Sequence, residues 1–512
     1  MRLNRSLIAL LSASILMGLV APSSFAAYQS GSYNVGSIKV TTHNSVVTTP
    51  ESFGANGQDS KLDTLALQQA IHKGDKVVLK GGATYYIDQP LVANKNLIIT
   101  TTDGKKATIV QKSAQSAFIF DNKPKATTTV TKTVRVNQNY ITVKDASKIK
   151  IGDLLHIKSS KLWYWDNRGY LTKGELSKVT KVEGNNVYLD LSARESYYIS
   201  GETLTVNAYT PKNLKIEHIE FKHPQPMSTV MVKVGFTENA LFQDIIIRNS
   251  KKIGLMLDKT LHSHVTKSFF SLGTTPDISS GYGVQDYGGR HNTISYSTFA
   301  SVRRGVDFSG DTPSRFGVVK YSKAYGPPKH TLAVGNSGFG THSTAEDITF
   351  HNNTIIGFNY GFNSRGNRIT IKDNTMTGNS VTFAAISYGN NVTLLRNHFQ
   401  RSSLEGNSLE HFALIFASYK GKVTAEQNKV EYLTKDFVRV AGTDLQTLRL
   451  VDNRANVYTD LNPMYVIRSG SNIKLQNTTL LRNYMWMKTG TKKYVSKTVD
   501  LSDKSNQIDY IH

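Results

Sequence analysis

The sequence predicts an all-β chain wound as a parallel β-solenoid, with one short helix near its start and a small β subdomain inserted before the main run of coils. Three observations carry this. A short motif recurs, in which alternating apolar residues lead to a polar pair ending in Asn and then to another apolar residue: ITFHNNTI at Ile348–Ile355, ITIKDNTM at Ile369–Met376, VTLLRNHF at Val392–Phe399, VTAEQNKV at Val423–Val430, LRLVDNRA at Leu448–Ala455 and IKLQNTTL at Ile473–Leu480. Its asparagines, Asn353, Asn374, Asn397, Asn428, Asn453 and Asn477, stand 21, 23, 31, 25 and 24 residues apart. A second strand-like run precedes each copy, as in RGVDFSG (304–310), GFNSRGN (361–367) and AAISYGN (384–390). A period near 23 with no helical stripe suits stacked β coils, none of which can bury its apolar face alone. The recurring Asn tolerates a left-handed turn and can ladder with its neighbours, so its expected role is structural.

In chain order, residues 1–26 read as a signal peptide. Arg2 and Arg5 precede the apolar run Leu7–Val20, and Ser24-Phe25-Ala26 supplies small residues before a cut at Ala27. The expected location is therefore periplasmic, cell-surface or secreted.

Residues 27–125 open the solenoid. FGANGQDSKLDTLALQQAI (Phe53–Ile71) gives a strand-turn, then Asp63 or Thr64 as N-cap of a helix ending near Gly74. VVLKGGATYYI and LIITTTDGKKATIV follow as strands. This opening resembles that of the pectate-lyase-like superfamily, whose FGAxGDGxxDDTxAIQxAI-like segment and following V-x-L-x-G-x-Y-x-I strand begin a right-handed parallel β-helix. The resemblance implies that hand, and a helix capping the open end. The acidic loop of the family pattern is reduced here to Gly57-Gln58-Asp59. Lyases, hydrolases, epimerases and phage tailspikes share this opening, so function has to come from the site.

Residues 126–208 change character. Asn- and Gly-punctuated strands suggest an inserted antiparallel β subdomain. Trp163, Tyr164, Trp165, Arg168 and Tyr170 cluster in it, serving either packing or stacking on sugar rings. Residues 209–483 hold the remaining coils, and 484–512 form a C-terminal cap. One coil stands out: Val302 to Gly357 covers 56 residues, its excess forming a long loop at 311–345 that supplies His330 and His342 and leads to Glu346.

Composition limits the function classes. The chain of 512 residues has no cysteine, which excludes a disulfide scaffold, a thiolate zinc site and a catalytic thiol. No internal apolar stretch is long enough for a membrane span. The formal charge is +23, two fewer after removal of the signal peptide, and such a charge favours polyanions. Its scattered distribution and the export signal point to an acidic polysaccharide rather than nucleic acid.

Aligning the strands by their shared glycines places Asp286 over Asp307 and Asp307 over Asn363. It also places Ser309 over Arg365 and Arg365 over Tyr388, with Tyr287, Phe308, Ser364 and Ser387 alternating inward. Asp286 and Asp307 would then lie roughly 5 Å apart on an exposed face. Three readings stay open for that pair. It shares a Ca²⁺ ion, it serves as the acid and nucleophile of a retaining glycosidase, or it pairs with Arg290, Arg303 or Arg304 and holds the loop.

Arg365, Tyr388 and His342 suggest another chemistry. Cleaving a uronate polymer by β-elimination requires neutralisation of the carboxylate, a base for the C5 proton and an acid for the leaving oxygen. Arg365 suits the first role, His342 the second and Tyr388 the third. The expected catalytic group is His342, Arg365, Tyr388 and Asp307; the expected substrate contacts are Arg304, Asn363, His330, Tyr419 and Lys420. The NTD, DD, GHG and RIK motifs of polygalacturonases and the DPHDRS-type motif of alginate epimerases are missing. The reading is an exported polysaccharide lyase acting on an acidic polymer. Its rivals are a glycoside hydrolase using Asp286, Asp307 or Glu346, and a non-catalytic polysaccharide-binding surface protein.

Overall fold

The computed structural model describes residues 46–163, 171–273, 280–326, 336–378, 382–401, 414–417, 421–433, 436–440, 445–457, 464–487 and 491–509. The predicted signal peptide lies outside them. The chain forms a right-handed parallel β-helix. Its opening helix, Thr64–Lys73, buries Ala66, Leu67, Ala70 and Ile71 on the first coils and is followed by Gly74. Asp63 stands at the N-cap position, but its carboxylate accepts from the backbone N–H of Asn56 (2.9 Å) and Tyr86 (3.1 Å). It thus ties the helix entrance to the neighbouring strand rather than capping its own helix.

Each coil contributes three short strands. Thr293–Ser295, Thr298–Ala300 and Arg304–Ser309 make one coil, and Val318–Lys320, Lys323–Tyr325 and Ser337–Thr341 the next. Each strand pairs in parallel with its counterpart one coil on. One face holds 13 strands among the described residues, while Tyr360–Lys372 and Thr382–Leu395 run unbroken from one of the other two faces into the next. Inward apolar residues stack along the axis. Phe270, Phe299, Phe339, Phe350, Phe362, Phe383 and Phe399 form a continuous run of ring contacts 5.1–6.3 Å apart.

The second of these coils corrects the expected long loop at 311–345. The stretch from Val302 to Gly357 holds two coils, because Val318–Lys320 pairs with Thr293–Ser295 on one side and Thr349–His351 on the other. The segment VVKYSKAY has the alternating pattern, but Ser322 stands where later coils have Asn, so a ruler of asparagines passes over it.

The buried ladder makes this substitution physical. The Nδ2 of Asn353 donates to the Oδ1 of Asn374 (3.0 Å), and the same relation links Asn374 to Asn397, Asn397 to Asn428, Asn428 to Asn453 and Asn453 to Asn483. Earlier coils use serine: the Ser297 N–H donates to Ser322 Oγ (3.2 Å), and the Ser322 N–H to Asn353 Oδ1 (3.0 Å). Two expectations change. The last ladder member is Asn483 rather than Asn477. The left-handed residue is the one before each ladder position, as at Tyr321 (φ 52°), Asn352 (55°), Asp373 (56°) and Arg396 (50°). A non-glycine residue there costs roughly 1 kcal/mol or more, which the ladder's hydrogen bonds offset.

Between Ala126 and Tyr209 lies a six-stranded antiparallel sheet with a small apolar core of its own, including Ile141, Leu155, Ile157, Val187 and Val206. Trp163 is buried and so offers no face to a sugar ring; Tyr164, Trp165, Arg168 and Tyr170 lie outside the described residues. The subdomain is fastened to the solenoid by ion pairs, Arg290 with Asp190, Lys178 with Glu238 (2.7 Å), Arg315 with Glu175 (2.8 Å) and Arg194 with Asp347 (2.8 Å).

Candidate functional site

The face that carries most of the candidates is built from the third strand of successive coils. Its register is Gln285, Asp307, Gly340, Asn363, Ala385. This corrects the predicted stripe. Gln285, not Asp286, is the neighbour of Asp307, and Gly340 lies between Asp307 and Asn363. A one-residue slip turns every side chain of a strand to the other face. Asp286 therefore lies beside Phe308 and is wholly buried, and Tyr287 does not point inward as expected.

Asp286 fills a polar corner of the interior. Its carboxylate accepts from the Gly289 N–H (2.9 Å), Asn292 Nδ2 (2.8 Å) and Ser314 Oγ (2.9 Å). Burial raises its pKa to about 6, the three hydrogen bonds opposing that shift. Asp286 and Asp307 consequently do not face one another, and the paired-carboxylate and shared-Ca²⁺ readings lose their geometry. Among the described residues no group of three or more His, Asp or Glu is arranged to hold a metal ion. Glu346, the other hydrolase candidate, is buried and held by Arg315 (2.8 Å), Arg368 (3.2 Å) and Asn367 (3.1 Å).

What the register does bring together is Asp307 and His342. His342 Nδ1 lies 3.0 Å from the Asp307 carboxylate. Arg304 is ion-paired with the same carboxylate, and Gln285 Nε2 donates to it at 3.2 Å and to Ser309 Oγ at 3.0 Å. Asp307 is fully buried, whereas the imidazole keeps about a quarter of its surface (23% exposed). Burial pushes the Asp307 carboxyl up, but His342 when protonated and the Arg304 guanidinium, with the hydrogen bonds of both, outweigh it and hold the group well below the usual carboxylate range. Asp307 is thus an anion. An anion at Nδ1 requires a proton there, so in the neutral ring the lone pair lies on Nε2.

Supporting groups complete the site. Tyr282 packs edge-on to the His342 ring with centroids 6.1 Å apart, and its hydroxyl accepts from Arg303 (3.0 Å). Burial and the nearby Asp307 charge raise the Tyr282 phenol and keep it protonated. Gly340 is required by close approach: a Cβ there would come within 2.2 Å of the Asn363 carbonyl and 3.2 Å of the Arg304 guanidinium. Arg365 follows one coil on from His342. Its backbone N–H donates to Thr341 Oγ1 (2.9 Å), which places it about 4.8 Å along the axis from the histidine strand. Its side chain is half-buried.

Arg304 is a correction among the expected substrate contacts, because it is buried and occupied by Asp307 and by Ser337 Oγ (3.1 Å). Asn363 is half-buried on the same face. Tyr388 belongs to the strand Thr382–Leu395, but its side chain lies outside what is described, as do His330, Tyr419 and Lys420 altogether. Sequence reasoning missed Gln285 and Tyr282, and it named Arg303 only as a partner for the carboxylates, not for Tyr282. The offset of 22 residues from Gln285 to Asp307 was the signal for the first; the other two follow only from the correct register.

Comparison with known proteins adds a second line of observation. Residues 126–209 match the family described as K1 capsule-specific polysaccharide lyase, Rider domain. A curated relative, the capsule K1-specific depolymerase of Klebsiella phage K64-1, is 26% identical over 239 residues. That match covers 44% of this chain and 26% of the relative, so the chain spans about a quarter of the depolymerase's length. Among solved structures, the Pseudomonas phage phi297 tailspike gp61 superposes with a TM-score of 0.69 at 15% identity, covering 87% of this chain and 81% of the tailspike. The Gp54 tailspike of Acinetobacter baumannii bacteriophage AP22, solved in complex with a capsular saccharide of its host, gives 0.56 at 16% identity over 87% and 74% of the two chains. These likenesses show the fold.

Proposed function

We propose that this protein is a depolymerase of an acidic, capsule-type polysaccharide and that it cleaves its substrate by β-elimination at the Asp307–His342 pair. The observation that carries the reading is the geometry of that pair: a buried carboxylate fixes the imidazole of a partly exposed histidine on an open sheet face, one coil from Arg365. Similarity of the inserted subdomain to part of a capsule-specific lyase supports a polysaccharide substrate, and the charge of +23 supports an acidic one.

In the proposed reaction Arg365 neutralises the uronate carboxylate and so acidifies the C5 proton. His342 Nε2 takes that proton, and Asp307 stabilises the resulting imidazolium. The C5–H electrons form the C4–C5 double bond, the C4–O bond breaks, and Tyr388 protonates the departing oxygen. Export by the predicted signal peptide would bring the enzyme to such a polymer.

The test is incubation with purified acidic capsular polysaccharides, following chain length and the ultraviolet absorbance of the unsaturated product. Chain shortening with that absorbance is expected. Shortening without it would assign hydrolysis by a His342-activated water. Binding without shortening would leave a polysaccharide-binding protein.

A further inference from the structure

We infer that the inserted subdomain is a positioning element for the Asp307–His342 pair and that Trp163 is the residue through which it acts on His342. The inference rests on the proposed role of that pair. It starts from where the subdomain touches the solenoid. The indole N–H of the buried Trp163 donates to the carbonyl of Ser343 at 2.9 Å, and Ser343 is the residue directly after His342. The chain after Asp307 is held as well. The Thr172 N–H donates to the Asp311 carbonyl (2.7 Å), Lys158 pairs with the Asp311 carboxylate (2.7 Å), and His156 Nε2 lies 3.1 Å from Thr312 Oγ1.

Asp307 lies on a strand and His342 directly follows one, Ser337–Thr341, and the segments after both are gripped by the same antiparallel pair, Leu154–Leu162, with Trp163 directly after it, and Thr172–Glu183. The grip is close. A Cβ on Gly174 would come within 2.5 Å of Thr312 Cγ2, so no side chain fits between the two parts. It is also dry enough to keep His156 uncharged, since burial lowers that imidazole to about 3.

The consequence for chemistry is specific. None of these residues supplies a group that touches the proposed reacting atoms. Losing the Trp163 N–H removes one of the contacts that hold the residue after the imidazole, and so lets Nε2 drift from a position that the Asp307 contact and the bond from the His342 N–H to the Phe308 carbonyl (2.8 Å) do not fix on their own. A displacement near 1 Å at a reacting group costs on the order of 100-fold in rate. Part of that loss is expected from one hydrogen bond: a fall in kcat of at least about tenfold, with KM changed by less than about twofold.

The experiment compares the full chain with Trp163→Phe, and with Tyr188→Phe as a control on an exposed part of the subdomain, where the hydroxyl donates to Glu183 (2.9 Å). Steady-state kcat and KM are measured on an acidic capsular polysaccharide that the wild type shortens, together with the NMR titration of the His342 ring protons. Support is a lowered kcat, a held KM and an altered His342 titration in Trp163→Phe alone. Unchanged kcat and titration in Trp163→Phe would overturn the inference, as would an equal loss in Tyr188→Phe. If Trp163→Phe does not fold, 3-benzothienylalanine at 163 keeps the bicyclic shape and removes only the N–H; wild-type kcat with that residue also overturns it. His342→Ala separates the two proposals. Full activity there refutes the proposed site, whereas inactivity there with an unaffected Trp163→Phe refutes only the positioning role.

Discussion

Replacing Asp307 by Asn tests the candidate site through stability and activity at once. The carboxylate is wholly buried, and its guanidinium partner Arg304 is 3% exposed. The substitution leaves a buried cation without its counterion, an error that costs about 3–5 kcal/mol in comparable pairs. The Gln285 and His342 contacts can be partly re-formed by the amide, so the ion pair dominates the loss. Urea unfolding followed by circular dichroism reads it. Arg304→Met in the same chain removes the stranded charge and should recover about 2 kcal/mol or more relative to Asp307→Asn alone.

The pH dependence carries a sign. The folded carboxyl titrates below its unfolded value near 3.8, so its contribution is complete above that pH and is lost as pH falls through the folded value. Asp307→Asn should therefore flatten the acid limb of the stability curve. Turnover should fall by about 100-fold or more, because the imidazolium loses its anion. An Asp307→Asn protein as stable as the wild type, with no coupling to Arg304, would refute the buried pair. Normal stability loss with full activity would refute the catalytic reading while leaving the fold account intact.

Other consequences can be checked alongside. Arg365→Ala and Tyr388→Phe should each lower turnover on the true substrate about 100-fold while leaving the urea midpoint near that of the wild type. Asn374→Ala should leave activity intact but destabilise by about 2 kcal/mol or more, since the buried Asn353 N–H loses its acceptor at 2.9 Å and the Phe350 carbonyl its donor at 3.0 Å. Asp286, raised to about 6 by burial, holds a proton in the fold that the unfolded chain has already released, so its contribution to stability falls as pH rises from about 4 to 6. Asp286→Asn should remove that slope, and an unchanged slope would refute the assignment. Binding to an acidic polymer should weaken steeply with added salt, because exposed charges are screened within about 8 Å at physiological ionic strength; salt-independent binding would count against an anionic ligand.

The solenoid was legible because its cause is local and repeated. Alternating apolar residues at Ile348, Phe350 and Ile355 recur at Ile369, Ile371 and Met376, and any coil that buries one set must stack on the next. The helix at Thr64–Lys73 was legible for the same reason, its buried residues falling on one face. Register was harder to read. Asp286 and Asp307 sit in similar Gly-flanked strands, and nothing local says that Gln285 rather than Asp286 meets Asp307. The hidden coil at Val318–Tyr325 escaped because Ser322 does the work of an asparagine by supplying a hydroxyl acceptor to the Ser297 N–H. His342 was found as a loop histidine, but its partner depended on a strand, Ser337–Thr341, that the sequence had hidden inside that loop. The grip of Trp163 on Ser343 spans 180 residues and leaves no periodic trace.

The asparagine ladder has a direction. Each member's side-chain oxygen accepts the backbone N–H of the member before it, as Asn374 does for Asn353 and Asn397 for Asn374. A coil is therefore finished only by the coil that follows. During synthesis from the N-terminus, the newest coil always carries one amide awaiting a residue not yet made, and each arriving asparagine closes the previous turn as it opens its own. Removing coils from the two ends is accordingly unequal. A cut on the N-terminal side leaves the first remaining asparagine with a side-chain oxygen and an Nδ2 hydrogen whose partners lay in the coil before, whereas a cut on the C-terminal side strips the last remaining turn of the acceptor for its backbone N–H. The array grows and frays with a polarity that its near-identical repeats conceal.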